Sequence, residues 1–178
     1  MAVNGRNKGA GFERKIAKSL TEWSGKTFDR VFRSGGGAAK GDIAPAYHSW
    51  PFVAELKNRE SWGHHDLFNN KGNIWKWWSK VCQEAADAKK YPLLIIKRNR
   101  HPALVILNRS DCLALLTWSL KDRNLAGSGR SDGLLAVTLE DLRSHLDFLL
   151  ITAVNEHTVV VLSLKDFLGI FNGPAMVC

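Results

Sequence analysis

The residue types able to do chemistry gather between Arg33 and Lys57. Asp42 stands at the head of one short apolar run, and Glu55 and Lys57 lie two residues apart in the next. A strand turns successive side chains to opposite faces, so Glu55 and Lys57 share a side, and two carboxylates and an amine can converge. Carboxylates held together away from water repel one another. A divalent cation is the simplest compensation, with Lys57 as a nearby electrophile. The competing arrangement is a pair of edge strands with solvated charges, because alternation of polar and apolar residues is normal on a half-exposed strand. Ahead of Asp42 run Arg33, Ser34, the glycines Gly35 to Gly37, and Lys40 and Gly41. Glycine backbone can come close to a phosphodiester with Arg33 and Ser34 as donors, although a plain hairpin loop accounts for the same residues. No Gly-Lys-Ser/Thr follows the glycines and the next predicted element is a strand, which excludes a nucleotide-binding P-loop.

The elements that must position these residues can be read from periodicity. Phe12, Ile16, Leu20 and Trp23 recur at helical spacing and predict an amphipathic helix over 9–23, ending near Gly25. Arg14, Lys15 and Lys18 fall on its outer face. Glu13 falls on the border of the apolar stripe, where it either reaches inward or pairs with a lysine along the helix. A strand is expected over 27–33 and another over 51–57, the latter with Phe52, Ala54 and Leu56 on one face and Val53, Glu55 and Lys57 on the other. Residues 58–73 read as a polar loop whose His64, His65 and Asp66 are either a metal-ligand triplet or polar residues facing solvent or nucleic acid. A second helix is predicted over 74–90, with Ile74, Trp78, Val81, Cys82 and Ala85 inward and Lys76, Lys80 and Gln83 on the opposite face. The tryptophans fit packing, with Trp62 or Trp77 as alternatives for stacking on a base. Leu93 to Lys97 and Ala103 to Leu107 predict a hairpin joined by a basic turn. Beyond Asn108 a short helix capped by Ser110, a polar loop over 121–133 and two strand-helix units are expected, the helices starting at Thr138-x-x-Asp141 and Ser163-x-x-Asp166.

The 178-residue chain is long enough for one sizeable core with an extension. Its mean hydropathy of -0.18 and the lack of any apolar run near the ~20 residues that span a bilayer point to a soluble globule with no membrane partner. The amino terminus carries positive charge with no apolar segment behind it, so a cytoplasmic location is expected. Cys82, Cys112 and Cys178 are widely spaced and offer no paired zinc motif. Lys and Arg number 25 against 17 Asp and Glu, a formal charge of +8 and a pI near 9.6, which favours an acidic polymer as partner. The charge is clustered at Arg6, Lys8, Arg14, Lys15 and Lys18, and again at Lys89, Lys90, Lys97, Arg98 and Arg100, on either side of the 33–57 stretch.

Taken in order, Glu13 in the first helix, Arg33-Ser34-Gly35, Gly41-Asp42-Ile43 and Glu55-Leu56-Lys57 resemble the PD-(D/E)xK nuclease superfamily, and within it Holliday junction resolvases of archaeal and phage type. The likeness covers residues 1–107. Gly41 stands where the motif has proline, and residues 108–178 form an extension that the small resolvases lack. The resemblance implies an α/β fold: a mixed central β-sheet flanked by helices, a restriction-endonuclease-like core, followed by a C-terminal α/β extension. It implies a Mg²⁺ site, with Mn²⁺ able to substitute, formed by Asp42, Glu55, the Leu56 carbonyl and Glu13. Lys57 would act on the transition state. By the same resemblance Arg14, Lys15, Lys18, Arg33, Ser34, Gly35 and Lys40 would contact DNA, the enzyme would work as a homodimer on four-way junctions, and products would carry 5′-phosphate and 3′-hydroxyl ends. The alternatives are a nuclease of the same fold with restriction, nicking or repair function, or a non-catalytic nucleic-acid-binding module.

Overall fold

The computed structural model describes residues 5–31, 40–68, 72–116, 149–154, 157–171 and 173–177. The expectations for Arg33, Ser34 and Gly35, the 121–133 loop, the strand and helix start over 134–141, and Cys178 lie outside the described residues. The strands β1 (Phe28–Arg30), β2 (Ile43–Pro45), β3 (Phe52–Asn58), β4 (Tyr91–Lys97), β5 (Leu104–Asn108), β6 (Leu149–Val154) and β7 (His157–Ser163) form one mixed sheet in the order β1-β2-β3-β4-β5-β7-β6. Among these described strands β3 and β4 pair in parallel, and the other neighbouring pairs are antiparallel. A parallel pair needs a crossover, and helix α2 (Asn73–Ala88) supplies it.

Helix α1 (Gly5–Ser24) starts a turn earlier than the apolar spacing alone predicts. Phe12, Ile16 and Leu20 bury into the core on one face of the sheet, against Phe52, Ala54, Leu56, Leu93 and Ile95. Each such side chain contributes about 1.5–3 kcal/mol on burial, which holds α1 to the sheet while its flanks stay polar. Ile74, Trp75, Trp78 and Val81 of α2 close the other face over Val53, Leu94 and Ile96. Both faces of the central strands are therefore covered. That is why β4 reads as a continuous apolar run, and why Phe52 to Leu56 are all buried. The half-exposed edge-strand alternative for Glu55 does not hold: β3 is interior to the sheet and Glu55 is 1% exposed. The strand expected over 27–33 is limited to Phe28–Arg30 among the described residues.

Residues beyond 108 continue the same sheet, because β7 pairs with β5 and β6 pairs with β7. The helical segment 109–116 buries Cys112, Leu115 and Leu116. Ser163 caps the helix Leu164–Ile170 by accepting from the Asp166 amide at 3.0 Å, as its sequence pattern predicts. That helix sends Phe167, with Phe171 just beyond its end, into the α1-side core. Trp23 at the end of α1 donates from Nε1 to the Phe171 carbonyl at 3.1 Å. Gly173 lies so close that a Cβ there would come within 2.3 Å of the Trp23 carbonyl oxygen. Among the described residues no helix is long and apolar enough to cross a membrane.

Candidate active site

The turn before β2 carries Asp42 into place. Gly41 adopts φ +93, a conformation that residues with a Cβ rarely take, and it sits directly against β3. This lets the Asp42 amide donate to the Ala54 carbonyl at 2.7 Å while the Asp42 carbonyl accepts from the Val31 amide at 2.9 Å. The side chain turns back onto β3, where Asp42 Oδ2 accepts from the Leu56 amide at 2.7 Å. One residue away, Glu55 projects toward α2 with its carboxylate sealed from solvent. Lys57 contacts Glu55 Oε1 and lies 3.9 Å from Asp42 Oδ2, so a single ammonium serves both acids. It also donates to the Leu56 carbonyl at 3.4 Å.

The two carboxylates titrate in opposite directions. Burial, reinforced by the negative charge of Glu55, raises the pKa of Asp42 above the ordinary aspartate value; the Leu56 amide and Lys57 pull against this without cancelling it. Burial also acts to raise Glu55, but hydrogen bonds and charge from Lys57 and then Lys80 outweigh it and hold Glu55 below the usual range. Lys80 was not evident as a site residue from sequence. Helical spacing places it with Lys76 and Gln83 away from the core; its long side chain nevertheless reaches over and donates to Glu55 Oε2 at 3.0 Å. Gln83 instead bonds Asp87 on the exposed side at 3.0 Å. The only sequence signal for Lys80 was its place in the crossover helix that must lie over β3, and that gives a helix face without the reach of the side chain.

Glu13 is on α1 and its carboxylate is engaged by Arg30 Nε of β1. It is near enough that its charge adds a small upward contribution to Asp42. The other residues singled out from sequence are more dispersed. Lys40 is exposed immediately ahead of the Gly41 turn. Arg14 and Lys18 line a groove with Phe28, Asp29 and Arg30 beside β1, and Lys18 also lies 3.8 Å from Glu22. Lys15 points to the other flank of α1, into a groove of about 500 Å³ shared with Lys97 and Lys165 over Phe12, Ile16 and Leu104. Partial burial, with the nearby charge of Lys15, lowers the pKa of Lys97, so like charges crowd this groove. Between the helix and the sheet end, Glu60 binds Lys8 at 2.7 Å and the Asn99 amide at 3.0 Å, with Arg98 at 3.5 Å. The Lys8 hydrogen bond, then the Asn99 amide, hold Glu60 down to about 2.

The His64-His65-Asp66 triplet has a structural use for its acid. Asp66 Oδ2 accepts from the Gly63 amide at 2.7 Å, capping the 3-10 turn His64–Leu67, and His65 is exposed beside it. Trp62 is buried, and Trp77 is half-buried against the α2-side core.

Comparison with known proteins places the chain in a family. The model of the family described as "Phage putative PDDEXK endonuclease" matches residues 4–128. The chain belongs to this family. It is therefore a nuclease of PD-(D/E)xK type. Protein D14 of Escherichia phage T5 is 32% identical over 124 residues, 62% of this chain and 75% of its own length. Among solved structures, the Holliday junction resolvase Hjc of Archaeoglobus fulgidus aligns with 55% of this chain and 74% of its own, at 16% identity and a TM-score of 0.37.

Nucleases of this family generally use a divalent metal ion. The donors present fit one: burial and the neighbouring charge of Glu55 make Asp42 resist ionising, which a cation would relieve, and the Leu56 carbonyl lies beside Lys57. Among the described residues no three His, Cys, Asp or Glu side chains form a metal-binding group. Glu13 is engaged by Arg30, and its charge reaches Asp42. The side-chain donors are the two acids, and oxygen-loving ions that retain several waters suit such an incomplete set.

Proposed function

We propose that the protein is a Mg²⁺-dependent, structure-specific DNA endonuclease that cuts four-way junctions as a homodimer, leaving 5′-phosphate and 3′-hydroxyl ends. The observation that carries the reading is the junction of β2 and β3, where Asp42 and Glu55 converge with Lys57 reaching both. Asp42, Glu55 and the Leu56 carbonyl would hold the ion, with Glu13 at its margin. A bound divalent ion supplies Lewis acidity: it makes water a better nucleophile and offsets charge developing on the phosphoryl oxygens. Lys57 sits between the two carboxylates and the Leu56 carbonyl. It orients the attacking water and stabilises the transition state electrostatically. The Leu56 amide keeps Asp42 aimed at the same point, so attack is positioned rather than diffusive.

The DNA contacts in this reading are Arg14, Lys15, Lys18 and Lys40, with Arg33, Ser34 and Gly35 from the glycine stretch. The preference for a junction is supported by the order of the motifs, helix Glu, Ser-Gly, Gly-Asp and Glu-x-Lys, which resembles that of resolvases. A four-way junction has near two-fold symmetry, so two copies related by a two-fold axis would present two sites to two strands. The test is cleavage of a synthetic four-way junction and of a matched linear duplex, each with Mg²⁺ and with chelator. Paired, symmetric, Mg²⁺-dependent nicks in the junction alone are expected. Equal cutting of the duplex would remove junction specificity and leave a nuclease of restriction, nicking or repair type. Binding with no metal-dependent cleavage of either substrate would overturn the catalytic reading.

A further inference from the structure

Glu55 is held by two ammonium groups of different kinds. Lys57 belongs to the same strand, is 23% exposed, and is tied to Glu55, the Leu56 carbonyl and Asp42 together. Lys80 arrives from α2 and meets Glu55 Oε2 at 3.0 Å, with 42% of its side chain exposed. Its ammonium also lies 3.4 Å from Glu84 Oε1, one helical turn further along α2. Lys80 therefore has a second carboxylate within reach and needs only side-chain rotation to favour it.

Charge balance gives this arrangement a purpose. Lys57 and Lys80 set two positive charges against Asp42 and Glu55, and Lys80 shares its charge with Glu84. A divalent ion entering against Glu55 would face the Lys80 ammonium at the oxygen it needs, and like charges at such range repel by an amount comparable to a useful binding energy. We propose that Lys80 is a removable counter-cation: it neutralises Glu55 Oε2 while no divalent ion is bound, and turns to Glu84 when one is. This rests on the metal-dependent reading above. Lys80 is then a positioning residue that acts through Glu55. Its presence keeps a buried carboxylate compensated in the metal-free protein, and its departure uncovers a ligand oxygen. Glu84 is the docking point that makes the departure inexpensive.

The alternative is that Lys80 is a permanent structural partner that orients Glu55; its removal would then leave metal affinity unchanged or weaker. The two are separated by equilibrium Mn²⁺ titration without nucleic acid, following free Mn²⁺ by its paramagnetic resonance, in the wild type, Lys80→Met, Glu84→Gln and Glu55→Gln. Lys80→Met keeps the aliphatic stem over the α2 face and removes only the competing charge. It is expected to bind Mn²⁺ about tenfold more tightly than the wild type. Glu84→Gln is expected to bind several-fold more weakly, because the ammonium loses its second partner and stays on Glu55; this variant keeps the proposal testable if Lys80→Met is poorly folded. Unchanged or weaker binding in folded Lys80→Met, or tighter binding in Glu84→Gln, overturns the proposal. A different result would overturn the underlying metal reading: no Mn²⁺ bound by the wild type, or binding indifferent to Glu55→Gln.

Discussion

Restoring the proline of the superfamily motif at position 41 is expected to destroy the site. Gly41 has φ +93, whereas proline is locked near -65°, so Gly41→Pro demands a rotation of roughly 160° in the turn that carries Asp42. Even alanine is strained there. A Cβ at Gly41 would lie 2.8 Å from the Ala54 carbonyl oxygen and 3.0 Å from its amide nitrogen, against backbone that cannot rotate away. Relieving that contact moves the turn off β3 by about half an ångström and breaks the 2.7 Å bond from the Asp42 amide to Ala54. An unfavourable φ costs about 1–3 kcal/mol and a broken backbone hydrogen bond about 1 kcal/mol, so Gly41→Ala should lower stability by about 2–4 kcal/mol, and Gly41→Pro by more. The same displacement carries the Asp42 carboxylate off the Leu56 amide. Catalytic geometry is sensitive enough that a shift of this size is expected to lower the cleavage rate by ~100-fold. Urea unfolding gives the first quantity, and single-turnover cleavage at saturating protein gives the second. Gly41→Pro with wild-type cleavage and stability within about 0.5 kcal/mol would refute the argument that this turn positions the acid.

Three further outcomes are expected. Glu55→Ala should abolish cleavage while junction binding persists or tightens slightly, because a carboxylate that repels phosphate is gone; loss of binding as well, measured by gel shift, would mark Glu55 as structural. Asp42 has a raised pKa in the folded protein, so its ionised form costs stability above that pKa, and the cost fades as pH falls toward the unfolded value of about 3.9. Asp42→Asn should therefore melt higher than the wild type at pH 7.5 in chelator, by an increment that shrinks on acidification; a lower melting temperature at pH 7.5 contradicts this. Replacing Arg14, Lys15 and Lys18 together with Ala should weaken binding to all DNA and reduce the salt dependence of log K by about 0.9 for each phosphate no longer neutralised, and an unchanged slope from 50 to 300 mM salt would place the DNA on another surface.

Periodicity was informative wherever one physical rule dominated. Phe12, Ile16 and Leu20 on α1 and the two faces of β3 follow from spacing alone, because burial on a regular element leaves few alternatives. The Ser163 cap was readable for the same reason: a local hydrogen bond needs no tertiary information. The order of the strands was beyond reach. Nothing local states that β7 joins β5, or that the tail would finish the core over α1. At the site, Glu55 and Lys57 share a face by alternation, but the bond between Asp42 and Leu56 depends on a positive φ at Gly41 that no spacing encodes. Lys80 escaped because face assignment assumes a side chain ends where its Cβ points. A lysine stem is long enough to leave one face of a helix and deliver its charge to another.

The bracing of α1 by the last strand and helices has a consequence in time. Residues 12–57 carry the acids and the amine, yet the face of α1 that bears Phe12, Ile16 and Leu20 stays incompletely covered until Phe167, Phe171, Met176 and Val177 exist. On the ribosome Phe12, Ile16 and Leu20 are therefore made well before the residues that complete their cover.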